Sequence, residues 1–234
     1  IHRRLVGSEM CIRDRSEVTP LLARVYPNGQ ADVNHFHAAG GMGYVIAELL
    51  GAGLLDGSAA TVSGDSLADY AREPVLSDNG LVWRDAPSTS LDTDILRPAG
   101  DPHAPNGGLR MLDGNLGKAV IKISAVAEER RLIEAPAAVF EDEAAVKAAY
   151  AAGELDRDVV VVVRGQGPQA TGMPELHSLT PMLSNLQDKG HAVALVTDGR
   201  MSGASGTVPA AIHVMPEAVA GGPIGQLTDG DMIR

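Results

Sequence analysis

VVVVVR, residues 159–164, is a run of five β-branched residues followed by a single arginine. A strand with one wet face alternates apolar and polar side chains. A run without that alternation predicts a strand buried on both faces at the centre of a sheet. Similar short runs bounded by Gly, Pro and Asp lie around it: AVIKISA at 119–125, residues 132–135, AVALVT at 192–197 and AAIHVM at 210–215. Helical spacing falls between them at 143–152 and 179–188. Strands alternating with helices predict a mixed β/α domain from about residue 76 onward.

The upstream part reads differently. In VNHFHAAGGMGYVIAELLGAGLLDG, residues 33–57, Met42, Val45, Ile46, Leu49 and Leu50 fall at helical spacing, and Gly51 and Gly53 end the helix. Gly40 and Gly41 precede it, and their missing side chains would let a ligand or another backbone approach the helix start. Residues 56–108 are rich in Asp, Ser, Pro and Gly. They read as a connecting segment with short strands around 81–83 and 95–96.

Composition excludes several classes. The 234 residues carry 19 Lys+Arg against 30 Asp+Glu, a net charge of -11 that argues against a nucleic-acid partner. With 44% hydrophobic and 21% charged residues the chain suits a folded soluble protein, and with 3% aromatics its core must be aliphatic. The one cysteine, Cys11, allows neither an internal disulfide nor a multi-cysteine metal site, and points to a reducing compartment. It lies in IHRRLVGSEMCIRDR, residues 1–15, where four arginines face two acids in an otherwise acidic chain. Charges interrupt every apolar group there, so this is no signal peptide. The segment resembles translated adapter read-through and is set apart as a non-native leader. No stretch approaches the roughly 18–20 apolar residues of a membrane span, so the expected location is cytoplasmic, with no membrane partner.

Two loops at strand ends attract attention, because a rigid sheet can aim side chains at a ligand from there. The first, GQGPQATGMPELHSLTP at 165–181, carries a lone acid, Glu175. Glu175 reads either as a first-turn acid favoured by the helix dipole or as a metal ligand. The second, DGRMSGASGTVPAA at 198–211, carries Asp198, Arg200, Ser202 and Ser205 among glycines. Ser202 reads as a turn serine or a catalytic hydroxyl. Gly199 lies three residues before it, which departs from the G-x-S-x-G elbow of serine hydrolases. Arg200 could bind substrate oxyanions, or pair with Asp198 to hold the loop. His35 and His37, two apart in HFH, would share a face on a strand and reach a substrate carboxylate or phosphate, unless they are polar residues at a helix start. Lys118 and Arg110 lie near glycines without the spacing of a phosphate loop. His177 and His213 read as structural.

DVNHFHAAGGMG, LDGNLGKAVIK, GMPELHSLTP, VTDGRMSGASG and HVMPEAVAGGPIG, in this order, are similar to the carboxy-terminal portion of the dihydroxy-acid and sugar-acid dehydratase family. The similarity runs over residues 18–234. The forms GMPELHSLTP and DGRMSGASGTVPAAIHV favour the branch acting on a phosphorylated sugar acid over the branched-chain amino-acid branch. The resemblance implies residues 16–75 as the end of an amino-terminal α/β domain, leaving a helical remnant, and residues 76–234 as a swivelling-type, β-barrel-like mixed β/α carboxy-terminal domain. It implies loss of water from a 2,3-dihydroxy acid, an iron–sulfur cluster of the 4Fe-4S kind, and a divalent ion such as Mg. Glu175 matches the family's metal-ligating acid and Ser202 its proposed base, while Asp198, Arg200, His35 and His37 are candidates for the substrate. The family's cluster-ligating cysteines have no counterpart here. The sequence therefore predicts a piece of a longer enzyme, cut at both ends, inactive alone and prone to poor solubility, whose parent is a homodimer. A sugar-acid-binding module without catalysis is the reading from a different class.

Overall fold

The computed structural model describes residues 14–62, 66–202 and 206–234. Cys11 and nearly all of the leader, and Gly203 and Ser205 of the second loop, lie outside the described residues. The chain divides into two units, Ile1–Gly107 and Gly108–Arg234. The division falls downstream of residue 76, so all but Gly108 of the segment that composition marks as connecting belongs to the first unit.

In the second unit all five valines of β6 (Val159–Val163) are buried, as the missing polar alternation predicts. Val159, Val161 and Val163 join a core with Leu176, Leu179, Leu183 and Leu186, residues of α4 (Thr180–Asp188) and the turn before it. Helix α3 (Glu143–Ala151) adds Val146 to the same core, its start capped by Asp142, which accepts a hydrogen bond from Ala145 N. Val160 and Val162 face the opposite way, into a second core with Ala135, Ala137, Val214 and Ile224. Burying a valine on either face is worth about 1.5–3 kcal/mol, which explains why no position of the run is polar.

Around β6 the sheet runs β3 (Leu109–Gly114), β4 (Gly117–Lys122), β8 (Ala210–Met215), β7 (Val193–Thr197), β6, β5 (Ala135–Phe140), β9 (Met232–Ile233). The pairs β5–β6, β6–β7 and β7–β8 are parallel, and β3–β4, β4–β8 and β5–β9 are antiparallel. The result is a mixed α/β sheet curled into a half-barrel, with few helices. The strand expected at 132–135 instead begins at Ala135. Pro136 sits inside it, near its start and beside the two-residue strand β9, where a missing N–H is tolerated.

The first unit holds α1 (Val33–Ala38), α2 (Gly41–Gly51) and the hairpin β1 (Arg72–Ser77)–β2 (Gly80–Asp85). Its small core is Ala39, Tyr44, Ile95 and Leu96. Gly40 and Gly41 adopt φ of 137° and 61°, which L side chains rarely reach, and a Cβ on Gly40 would lie 2.9 Å from that of Tyr44. The glycine pair thus serves a turn and close packing on Tyr44.

Candidate functional site

Parallel pairing of β6 and β7 brings the two loops of interest to the same end of the sheet. At their root is Asp198, only 1% exposed. One carboxylate oxygen accepts from Gln166 N (2.9 Å), the other from Gly165 N (3.1 Å) and Ala218 N (2.9 Å). This carboxylate ties together the loop after β6, the loop after β7 and the turn after β8. Expected as a substrate contact or as the partner of Arg200, Asp198 has a loop-holding contact set built from backbone amides. Two further clamps have no signature in the sequence. Arg164 binds Glu141 and donates to the carbonyls of Gly225 and Leu227, and the buried Glu217 accepts from Gln169 N. Next to Asp198, Gly199 lets the loops touch, since a Cβ there would lie 2.6 Å from Gln166 Cβ.

Beyond this root the loops meet again. Glu175 and Arg200 form an isolated parallel bridge, with Leu176 N donating to Arg200 O at 3.3 Å. Glu175 Oε1 accepts from Ser202 N at 2.7 Å and from His177 N at 3.1 Å. Glu175 Oε2 lies 3.9 Å from Arg200 Nη1. Arg200 Nε donates to Met173 O at 2.8 Å, and Met173 holds a left-handed φ of 60°. Such strain in a non-glycine residue persists where surroundings over-determine it, and here it turns the Met173 carbonyl toward Arg200. Three sequence candidates, Glu175, Arg200 and Ser202, are therefore neighbours. Glu175 orders the backbone that carries the Ser202 hydroxyl, and Arg200 braces Glu175.

Ser202 also lines a pocket of about 180 Å³. Its walls are Val120 and Lys122 of β4, Ala210 and Ile212 of β8, and Met201. Lys122 escaped notice in the sequence, although a charge two residues from Val120 on an apolar strand was the available signal. Burial pushes its pKa below the usual lysine value.

The histidine pair lies on α1, not on a strand, which corrects the premise that both share a face. Residues two apart on a helix point to opposite sides. His35 is the N3 member of a capping box, its Nδ1 2.7 Å from Asp32 Oδ1 and in contact with Asp32 N. His37 lines a separate groove of the first unit with Phe36, Tyr70 and Trp83. Lys118 lies 4.0 Å from Asp113, its cross-strand partner on the β3–β4 hairpin, and Arg110 donates to Leu109 O.

The described residues contain no group of three or more His, Cys, Asp or Glu able to hold a metal ion. A cluster held by cysteines does not fit them, and Glu175 has no second and third protein ligand beside it to complete a metal site among them. Among them no helix is long and apolar enough to cross a membrane.

Residues 94–234 match the family model described as dihydroxy-acid/6-phosphogluconate dehydratase C-terminal, and residues 8–70 match its N-terminal counterpart. The chain belongs to this dehydratase family. Among its relatives, phosphogluconate dehydratase of Pseudomonas aeruginosa is 59% identical over 231 residues, covering 97% of this chain and 38% of the relative. The Rhizobium meliloti enzyme of the same name is 58% identical over 224 residues, 95% of this chain and 37% of the relative. A dihydroxy-acid dehydratase of Nitratidesulfovibrio vulgaris is 42% identical over 223 residues, 94% of this chain and 38% of the relative. The chain thus spans well under half the length of these dehydratases.

Proposed function

We propose that this chain is part of a hydro-lyase that converts 6-phospho-D-gluconate to 2-keto-3-deoxy-6-phosphogluconate, the dehydration step of the Entner–Doudoroff pathway. The observation that carries the reading is the 2.7 Å hydrogen bond by which Glu175 of GMPE holds Ser202 of DGRMSG at the pocket wall. Identity of 58–59% to phosphogluconate dehydratases against 42% to a dihydroxy-acid dehydratase supports this branch.

In this reaction the C2 proton leaves and the C3 hydroxyl departs. Ser202 takes the C2 proton. A serine hydroxyl is a very weak base unless its pKa is pulled down by a nearby cation. Arg200 stands beside the carboxylate that positions Ser202 and can meet a substrate oxyanion. The 4Fe-4S cluster implied by the resemblance would draw its ligands from elsewhere in the parent protein. Glu175 would contribute one ligand of a divalent ion such as Mg. Departure of the C3 hydroxyl is assigned to no residue of this chain. The parent acts in the cytoplasm as a homodimer on a phosphorylated sugar acid.

The test is an anaerobic assay of the full-length enzyme on 6-phosphogluconate and on 2,3-dihydroxyisovalerate, scoring 2-keto acid formation. Preference for the phosphorylated sugar acid is expected. Preference for the branched acid would reassign the chain to the dihydroxy-acid branch, and binding of a sugar acid without turnover would make it a binding module.

A further inference from the structure

We propose that His213 is a positioning residue for the dehydration: its left-handed backbone kinks β8 so that its amide holds the Gly199 carbonyl, at the base of the segment that carries Arg200 and Ser202. The inference rests on the dehydratase reading and adds a residue to its site. Among the described residues only Met173 and His213 combine a side chain with a positive φ, at 60° and 55°. Such strain persists where the surroundings over-determine it. Both residues grip the same short stretch. The Met173 carbonyl accepts from Arg200 Nε at 2.8 Å, and His213 N donates to Gly199 O at 2.9 Å. Because β7 lies between β6 and β8, the segment leaving β7 is held on two sides. From the loop after β6, Leu176 N donates to Arg200 O and Glu175 accepts from Ser202 N. From β8, His213 supplies the hold on Gly199.

The kink shows in register and in packing. Lys118 faces Met215 and Val120 faces Ile212, so β8 spends two residues, His213 and Val214, where β4 spends Ala119 alone. The extra residue reverses the sides of the strand. Ala210 and Ile212 pack with the core of Val161 and Leu183, whereas Val214, which a period of two would place beside them, lies in the core of Val160 and Val162. Histidine enters the left-handed region more readily than the β-branched residues that fill the centre of this sheet. Burial of Val214 explains why the kink is stable, and the bond to Gly199 transmits it toward Ser202. A displacement of about 1 Å at a reacting group can cost roughly 100-fold in rate.

The experiment uses full-length enzyme with His213→Val, His213→Ala, His213→Gly and His213→Asn, assayed anaerobically on 6-phosphogluconate. Valine resists a positive φ, whereas glycine and asparagine accept it. The Val variant is expected to lose roughly 100-fold in kcat, with KM moving by less than about threefold. Alanine falls between, and the Gly and Asn variants keep kcat within about threefold of wild type. Hydrogen exchange in the peptide carrying Ser202 quickens at least about tenfold in the Val variant and holds its wild-type rate in the Gly variant. Wild-type kcat in a folded Val variant would overturn the proposal. So would equal losses in the Val, Gly and Asn variants, which would move the role to the imidazole. Insolubility of both the Val and Ala variants would also overturn it, by assigning the kink to folding. The exchange measurement needs no turnover: a wild type that dehydrates neither 6-phosphogluconate nor 2,3-dihydroxyisovalerate sinks the functional reading, while exchange at Ser202 still judges the hold by His213.

Discussion

Two carboxylates at the ends of β6 and β7 make opposite use of the same chemical group. Asp198 at the root is buried and accepts three backbone N–H bonds, so its negative charge is spent inside the protein. Glu175 at the tip is about a third exposed, accepts two amides on one oxygen, and turns the other toward Arg200. A carboxylate saturated by amides is a rivet. One with an oxygen facing outward can still exchange partners. The root fixes where the loops start, and the tip holds the groups proposed for the chemistry.

The contrast can be broken at four points. Ser202→Ala in the full-length enzyme should lower kcat by about 100- to 10,000-fold while leaving the thermal midpoint in place. A smaller loss would remove the serine from proton transfer. Asp198→Ala should cost about 3 kcal/mol or more, because three buried amides lose their acceptor. Thermal unfolding checks this, and an unchanged midpoint would mean that water replaces the carboxylate and the root is no rivet. Gly199→Ala drives a Cβ to 2.6 Å from Gln166 Cβ and should cost about 1–3 kcal/mol, with a fall in activity as the loop shifts. Glu175→Gln keeps an oxygen for Ser202 N and removes only charge, so stability should move by less than about 1 kcal/mol at this exposed site. A large stability loss there would show that the tip is as structural as the root.

The sheet was legible where burial dictates composition. Five valines without alternation could only lie between two cores, and β7, β8, α3 and α4 followed from ordinary strand and helix signals. The hairpin strand β3 carries no such signal: LRMLDG ends in Asp and Gly, and its pairing to β4 is made across the two-residue turn Asn115–Leu116 between Gly114 and Gly117. The candidate site was half legible. The GMPE and DGRMSG loops carried recognisable residues at strand ends, but their meeting at Glu175 Oε1 and Ser202 N depends on β6–β7 register, which no local pattern encodes. Asp198 reads as a substrate contact or as the partner of Arg200, because a sequence does not reveal which carboxylates are buried against backbone amides. The HFH pair misled through period: Asp32 caps a helix there, and a spacing of two that unites side chains on a strand separates them on a helix.

The bridge between Glu175 and Arg200 also says when the site comes into being. The hydrogen bond from Ser202 to Glu175 spans 27 residues, with all of α4 and β7 between. Closing that segment brings no reward until β7 has docked in parallel beside β6, a non-local pairing of the kind that forms slowly. The proposed base and its positioning carboxylate thus meet only once β6 and β7 are paired, and a mutation that disturbs that pairing would disperse them without altering a single residue of the site.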